Sequence, residues 1–174
     1  QGVSSAASDV YKRQTQDKEI VQEKVKKAEF SEDQLKVALK QEIGQGLAEV
    51  QREKDRVVVT VGSAGAFSSG SARLTRQARA IMQKIAKVSG KGAGQVNVSG
   101  HTDNVPLIFG GQYRDNWDLA AARASSVVQE LAKANTIPPE KLQAISFGET
   151  KPIEQNDTRD GREKNRRIEI EIKY

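Results

Sequence analysis

Asp103 and Arg123 are the residues whose types and spacing most invite chemistry. Asp103 stands in Gly100-His101-Thr102-Asp103-Asn104, just after a strand-like run. Arg123 stands in Asn116-Trp117-Asp118-Leu119-Ala120-Ala121-Ala122-Arg123-Ala124, one to two turns into a helix-like run. Asn116 reads as the N-cap of that helix, its side-chain oxygen accepting from a free N–H of the first turn. Leu119 and Arg123 are four apart and share one helix face. A fixed carboxylate beside a fixed guanidinium suits a ligand that carries both an amine and a carboxylate. Each contact is then a charge-assisted hydrogen bond, the stronger kind.

Blander readings stand beside this one. An aspartate after a strand also caps turns through nearby N–H groups. Arg123 also fits a surface ion pair with Asp103 or Asp118, which contributes only ~0–1 kcal/mol. Asn116 fits a cap better than a ligand contact, and Leu119 fits core packing as well as a pocket floor. His101 is the only histidine. It supplies at most one imidazole, and zinc sites normally need three or four protein ligands. There is no G-x-S-x-G nucleophile motif, and the glycine-rich segments lack the G-x-x-x-x-G-K-[ST] phosphate loop.

The elements that must position these residues follow from periodicity. Residues 1–14 have no period and are assigned no fold or function, as a non-native or disordered tail. Residues 15–46 form a polar helical linker or extension. Within it, Ser31 and Gln34 fit a capping box that starts a helix, and Leu35, Leu39 and Ile43 make one apolar stripe. Gly44 and Gly46 end it. Residues 47–52 read as a short strand turning at Glu53-Lys54-Asp55. Val57-Val58-Val59-Thr60-Val61 reads as a strand buried on both faces.

A glycine-rich loop spans residues 62–71. Leu74, Ala78, Ile81, Met82, Ile85 and Val88 mark an amphipathic helix, with Thr75 as its cap. Val96 and Val98 alternate with Asn97 and Ser99 as in a half-buried strand. After the helix of residues 116–134, residues 142–147 and 167–174 read as strands with a short helix at 161–166 before the last. The order β-α-β-α-β, then a short helix and a final β, favours helices packed on a sheet with parallel strand–helix–strand neighbours. The fold class is α/β (α+β), with an N-terminal helical extension.

Composition narrows the function. Cysteine is absent, which excludes disulfides, thiolate metal sites and a cysteine nucleophile. A net charge of +5 is mild, and basic and acidic residues interleave, so the pattern does not fit a nucleic-acid face. The densest basic group is Arg159, Arg162, Lys164, Arg166 and Arg167, which fits equally a solvated patch paired to Asp160 and Glu163. No run approaches the ~18–20 apolar residues that cross a bilayer.

Thr102-Asp103 followed by Asn116-x-x-Leu119-x-x-x-Arg123-Ala124 resembles the signature of OmpA-like peptidoglycan-binding domains. Gly100-His101-Thr102-Asp103-Asn104-x-Pro106, Asn116-Trp117 and Gly65-Ala66-Phe67-Ser68-Ser69-Gly70-Ser71-Ala72 resemble the MotB/PomB branch, the wall-anchoring subunits of the flagellar stator. The last segment resembles the sodium-type members more than the proton-type ones. The resemblance covers roughly residues 47–174. The chain departs from it at Ala120, where family members usually have Ser.

The resemblance implies a mixed four-stranded sheet, with residues 47–52 as a possible fifth strand, and no enzymatic activity or cofactor. It implies that Asp103 holds the ammonium of diaminopimelate in the wall peptide and Arg123 its carboxylate. It further implies that an arginine of the shared run Asn165-Arg166-Arg167, taken as Arg166, lies beside the ligand. It also implies a homodimer, a four-helix MotA/PomA-type membrane partner, and a periplasmic domain whose transmembrane helix lies outside this chain. On this reading residues 15–60 extend when the stator docks, with helix 31–43 as the moving part. The competing readings are a general outer-membrane or lipoprotein wall anchor and, more distantly, a wall amidase.

Overall fold

The structure is a computed structural model and describes residues 3–90 and 92–174. Its elements are α1 (Val3–Ala38), α2 (Lys40–Gly44), β1 (Ala48–Glu53), β2 (Arg56–Gly62), α3 (Ser63–Ala66), α4 (Arg76–Ser89), β3 (Gln95–His101) and α5 (Asn116–Lys133). A 3-10 turn (Pro139–Lys141), β4 (Leu142–Gly148), α6 (Arg159–Asn165) and β5 (Arg167–Lys173) complete the chain. One five-stranded sheet has the order β1-β2-β5-β3-β4.

β5 pairs antiparallel with both β2 and β3, so those two strands run parallel with the last strand inserted between them. β3 and β4 are the one parallel pair of neighbours, joined through α5 as the strand–helix–strand reading expects. The strand at 47–52 is real: β1 pairs antiparallel with β2 across the Lys54-Asp55 turn, where Lys54 takes φ 55°.

Helices α1, α4 and α5 pack side by side, α1 against β1 and β2 and α5 against β3 and β4. Their apolar side chains join one core with Val57, Val59, Val61, Val96, Val98, Ile168, Ile170 and Ile172. The other side chains of β2 and β5 alternate onto the open face of the sheet. Val58 and Thr60 there are only half-buried, which corrects the expectation of a strand buried on both faces. The helices cover one side only, so an unbroken apolar run does not here mean burial on both faces.

The N-terminal region differs from the sequence reading. Helix α1 begins at Val3 and runs unbroken past Ser31. Residues 3–14 are therefore helical, and residues 1 and 2 lie outside the described residues. Ser31 is not a cap: it is buried mid-helix and hydrogen-bonds to the hydroxyl of Tyr174. Its neighbours Ala28 and Leu35 are fully buried, and Leu39, just beyond the end of α1, is too, so packing carries the helix through a local start signal. Within the expected loop 62–71, Ser63–Ala66 forms a helical turn and Phe67 bridges to Leu74. Thr75 does cap α4, accepting from the Ala78 N–H at 3.1 Å.

Candidate functional site

The site is assembled where β3 ends and α5 begins. The register of β3 against β4 shifts between Gly100 and His101, and Thr102 N–H donates to the Gly148 carbonyl at 2.8 Å. Thr102 Oγ1 donates to the Asp103 carbonyl at 2.8 Å. Asp103 Oδ1 accepts from the Val105 N–H at 3.0 Å, closing an Asx-type turn. Asn116 Nδ2 donates to the carbonyls of Asp103, at 3.3 Å, and Val105, at 3.1 Å. Asn116 therefore does not cap α5. That role belongs to Asp115, whose Oδ1 accepts from Asp118 N–H at 2.8 Å. Adjacent Asp and Asn are both good caps, and the loop's need for an amide donor decides between them.

Close approach of β3 and α5 holds the two halves in register. A Cβ on Gly100 would lie 2.2 Å from the Ala120 carbonyl oxygen, so only glycine lets α5 sit this near the strand. Leu119 and Arg123 project from the same face of α5 and are both buried. Arg123 Nε donates to the Ser71 carbonyl at 3.0 Å, and its guanidinium lies 4.9 Å from the Phe67 ring centroid. The Tyr113 hydroxyl accepts from the Ala72 N–H at 3.2 Å beside it. Ser68, Ser71, Ala72, Arg73, Gln112 and Tyr113 help line an adjoining cavity of about 450 Å³.

Burial lowers the Arg123 pKa from its ordinary value and the Arg166 charge adds to that, while Tyr113 and Asp103 oppose it. Asp103 and Arg166 thus lie within electrostatic reach of Arg123. A guanidinium nevertheless stays cationic in proteins.

The direct ion pair is not the expected one. Arg166 Nη1 donates to Asp103 Oδ2 at 2.6 Å, whereas Asp118 pairs with Arg114, Nε to Oδ2 at 3.4 Å. Among the described residues Arg123 forms no ion pair with any acid. Asp103 and Arg123 are each only 7% exposed, while the Arg166 side chain is 35% exposed and covers the carboxylate.

The basic run is dispersed rather than a patch. Arg167 is buried, donating to Glu169 Oε1 at 2.8 Å and to the carbonyls of Asn165 and Lys151. Arg162 Nη1 donates to the Asn156 carbonyl, and Lys164 faces Glu154 at 3.8 Å. The expected partners Asp160 and Glu163 are not used by these arginines. Asn165 is fully buried: its Oδ1 accepts from the N–H groups of Ile153 and Glu154, and its Nδ2 donates to the Glu154 carbonyl and Asn156 Oδ1. It fixes the loop that delivers Arg166.

His101 points away from this cluster, stacking on Phe147 at 5.3 Å with Nε2 3.4 Å from Glu169 Oε2. No group of metal-ligating side chains occurs among the described residues. Trp117 packs its indole on Gly148, which takes φ 52°, and stays half-exposed. Of the predicted residues, Thr102, Asn116 and Arg166 each hydrogen-bond to Asp103. Arg123 lies within electrostatic reach of Asp103, and Leu119 is buried one turn before it on α5. Phe67, Ser71 and Tyr113 were missed as neighbours of Arg123, because Phe67 and Ser71 lie some fifty residues upstream and carry no local signal.

A profile of the OmpA family matches residues 66–166, which include every residue of this cluster. The chain belongs to the OmpA family. This OmpA-family chain is 32% identical over 152 residues to the uncharacterized protein YtxE of Bacillus subtilis, covering 85% of this chain and 62% of that protein. It is 29% identical over 125 residues to motility protein B of the same organism, covering 71% of this chain and 48% of that protein. The chain thus spans less than two thirds of the length of each of these relatives.

Among solved structures, the cell wall anchor of the T6SS from Pseudomonas aeruginosa superposes with a TM-score of 0.73 at 33% identity, covering 80% of this chain and 96% of that one. The periplasmic domain of Helicobacter pylori MotB superposes with a TM-score of 0.63 at 28% identity, covering 72% and 78%. The α/β fold, with helices on one mixed sheet, is the one these structures share.

Proposed function

We propose that this chain is the non-catalytic, peptidoglycan-binding periplasmic domain of a MotB-type flagellar stator subunit. On this reading Asp103 takes the ammonium of a wall diaminopimelate and Arg123 its carboxylate. Thr102, Asn116 and Leu119 set the loop and helix that carry them, and Arg166 sits at the ligand. The observation that supports it most is the buried Arg123, unpaired with any acid among the described residues and within electrostatic reach of Asp103. A buried guanidinium without a carboxylate is costly unless something supplies one.

Two charge-assisted contacts of roughly 1.5–3 kcal/mol each leave modest affinity after binding costs. A homodimer facing many identical stems gains from rebinding at high effective concentration. The full-length protein would carry an inner-membrane helix and work with a four-helix MotA/PomA-type subunit, in the sodium-type branch that the Gly65-to-Ala72 segment resembles.

Retention on purified sacculi tests the binding. Asp103→Asn and Arg123→Ala are each expected to lower it by at least about tenfold. Unchanged retention in both variants would remove the basis of this mechanism. The likeness to the T6SS anchor favours a second reading, a wall anchor outside the motor. Restoration of swimming in a stator-deletion strain by the full-length gene, with and without sodium, decides between them.

A further inference from the structure

Asp103 is already partnered in the free chain. One of its oxygens accepts from the Val105 N–H and the other from Arg166 Nη1 at 2.6 Å. A carboxylate offers about four acceptor positions, so a ligand ammonium can join this arrangement. The charge count then decides which ligand benefits. Asp103, Arg123 and Arg166 sum to one net positive charge. An ammonium alone raises this to two, with cations crowded on one buried carboxylate. A ligand bringing ammonium and carboxylate together leaves the sum unchanged and sets its carboxylate against guanidinium.

We infer that Arg166 is a specificity-determining residue: its ion pair with Asp103 makes the site reject ligands that offer an ammonium alone and accept those that pair it with a carboxylate. This rests on the wall-binding reading above and adds a role to it. The side chain is free to take that role, because the backbone of Arg166 is anchored separately. Its N–H donates to the Arg162 carbonyl and its carbonyl accepts from the Ser63 N–H. Arg166→Gln therefore leaves the frame in place, removes the charge and opens Asp103.

Two soluble stem tripeptides test the idea, one ending in diaminopimelate and one in lysine, which differ by one carboxylate at the side-chain end. Calorimetric titration of the wild-type chain should favour the diaminopimelate peptide by at least about tenfold. In Arg166→Gln that preference should shrink to about threefold or less, mainly because the lysine peptide binds better. Arg166→Lys, which keeps the charge, should restore it. A preference unaltered in Arg166→Gln, or equal weakening of both peptides, overturns the inference alone. Binding of neither peptide by the wild-type chain overturns the wall-binding reading and this inference with it.

Discussion

Glu169 shows how much one side chain of the sheet depends on its neighbours. The His101 imidazole at 3.4 Å and the Arg167 guanidinium at 2.8 Å lower its pKa to about 2, from an ordinary 4.5, against the opposing effect of burial. A 3.4 Å contact is long for a hydrogen bond, so the guanidinium is the stronger partner. A depressed carboxylate adds stability that is fully present above its unfolded pKa and lost as pH falls through the folded one. The stability advantage of wild type over Glu169→Gln should thus hold level above about pH 4.5 and fade toward pH 2. Its plateau should be on the order of 2 kcal/mol once solvent screening is allowed for. Urea melts across that range check this. An equal difference at pH 2 and pH 7 would show that packing, not charge, sets it.

At the scale of elements, the packing of β3 against α5 is what places Asp103 and Arg123. Gly100→Ala would push a Cβ to 2.2 Å from a backbone oxygen and 2.8 Å from the Ala120 carbonyl carbon. Backbone cannot rotate aside as a side chain can, so the helix must shift. We expect a loss of about 1–3 kcal/mol in stability, with sacculus retention falling further than that loss explains. Retention equal to wild type in a folded Gly100→Ala chain would show that the spacing is not needed.

Local elements were legible where the signal was local. The core face of α4, the Thr75 cap and the alternation of Ile168, Ile170 and Ile172 all follow from spacing alone. The cap of α5 was misread by one residue, because choosing Asp115 over Asn116 depends on carbonyls eleven and thirteen residues upstream. The Asp103–Arg166 pair spans 63 residues. Arg166 was legible as a site residue only through family resemblance, and its partner was not legible at all.

At the scale of the molecule, α1 divides into a free part and a built-in part. Its 36 residues extend about 54 Å at helical rise. Residues 5–24 are exposed throughout, whereas Ala28, Leu35 and Leu39 are fully buried in the same core as Val57 and Val59. Arg52 of β1 adds contacts to Glu29 and Glu32. The expectation that helix 31–43 is the moving part therefore conflicts with the packing. Releasing it would strip one edge of the core, while residues 5–24 can reorient at little cost. Leu35→Ala should destabilise the whole domain by about 2–5 kcal/mol. Hydrogen exchange should then rise together in residues 28–39 and in β2, with residues 5–24 fast in both chains. If instead the helix alone loses protection while β2 keeps it, residues 28–39 open as a separate unit, and a compact-to-reaching switch at that helix becomes physically admissible.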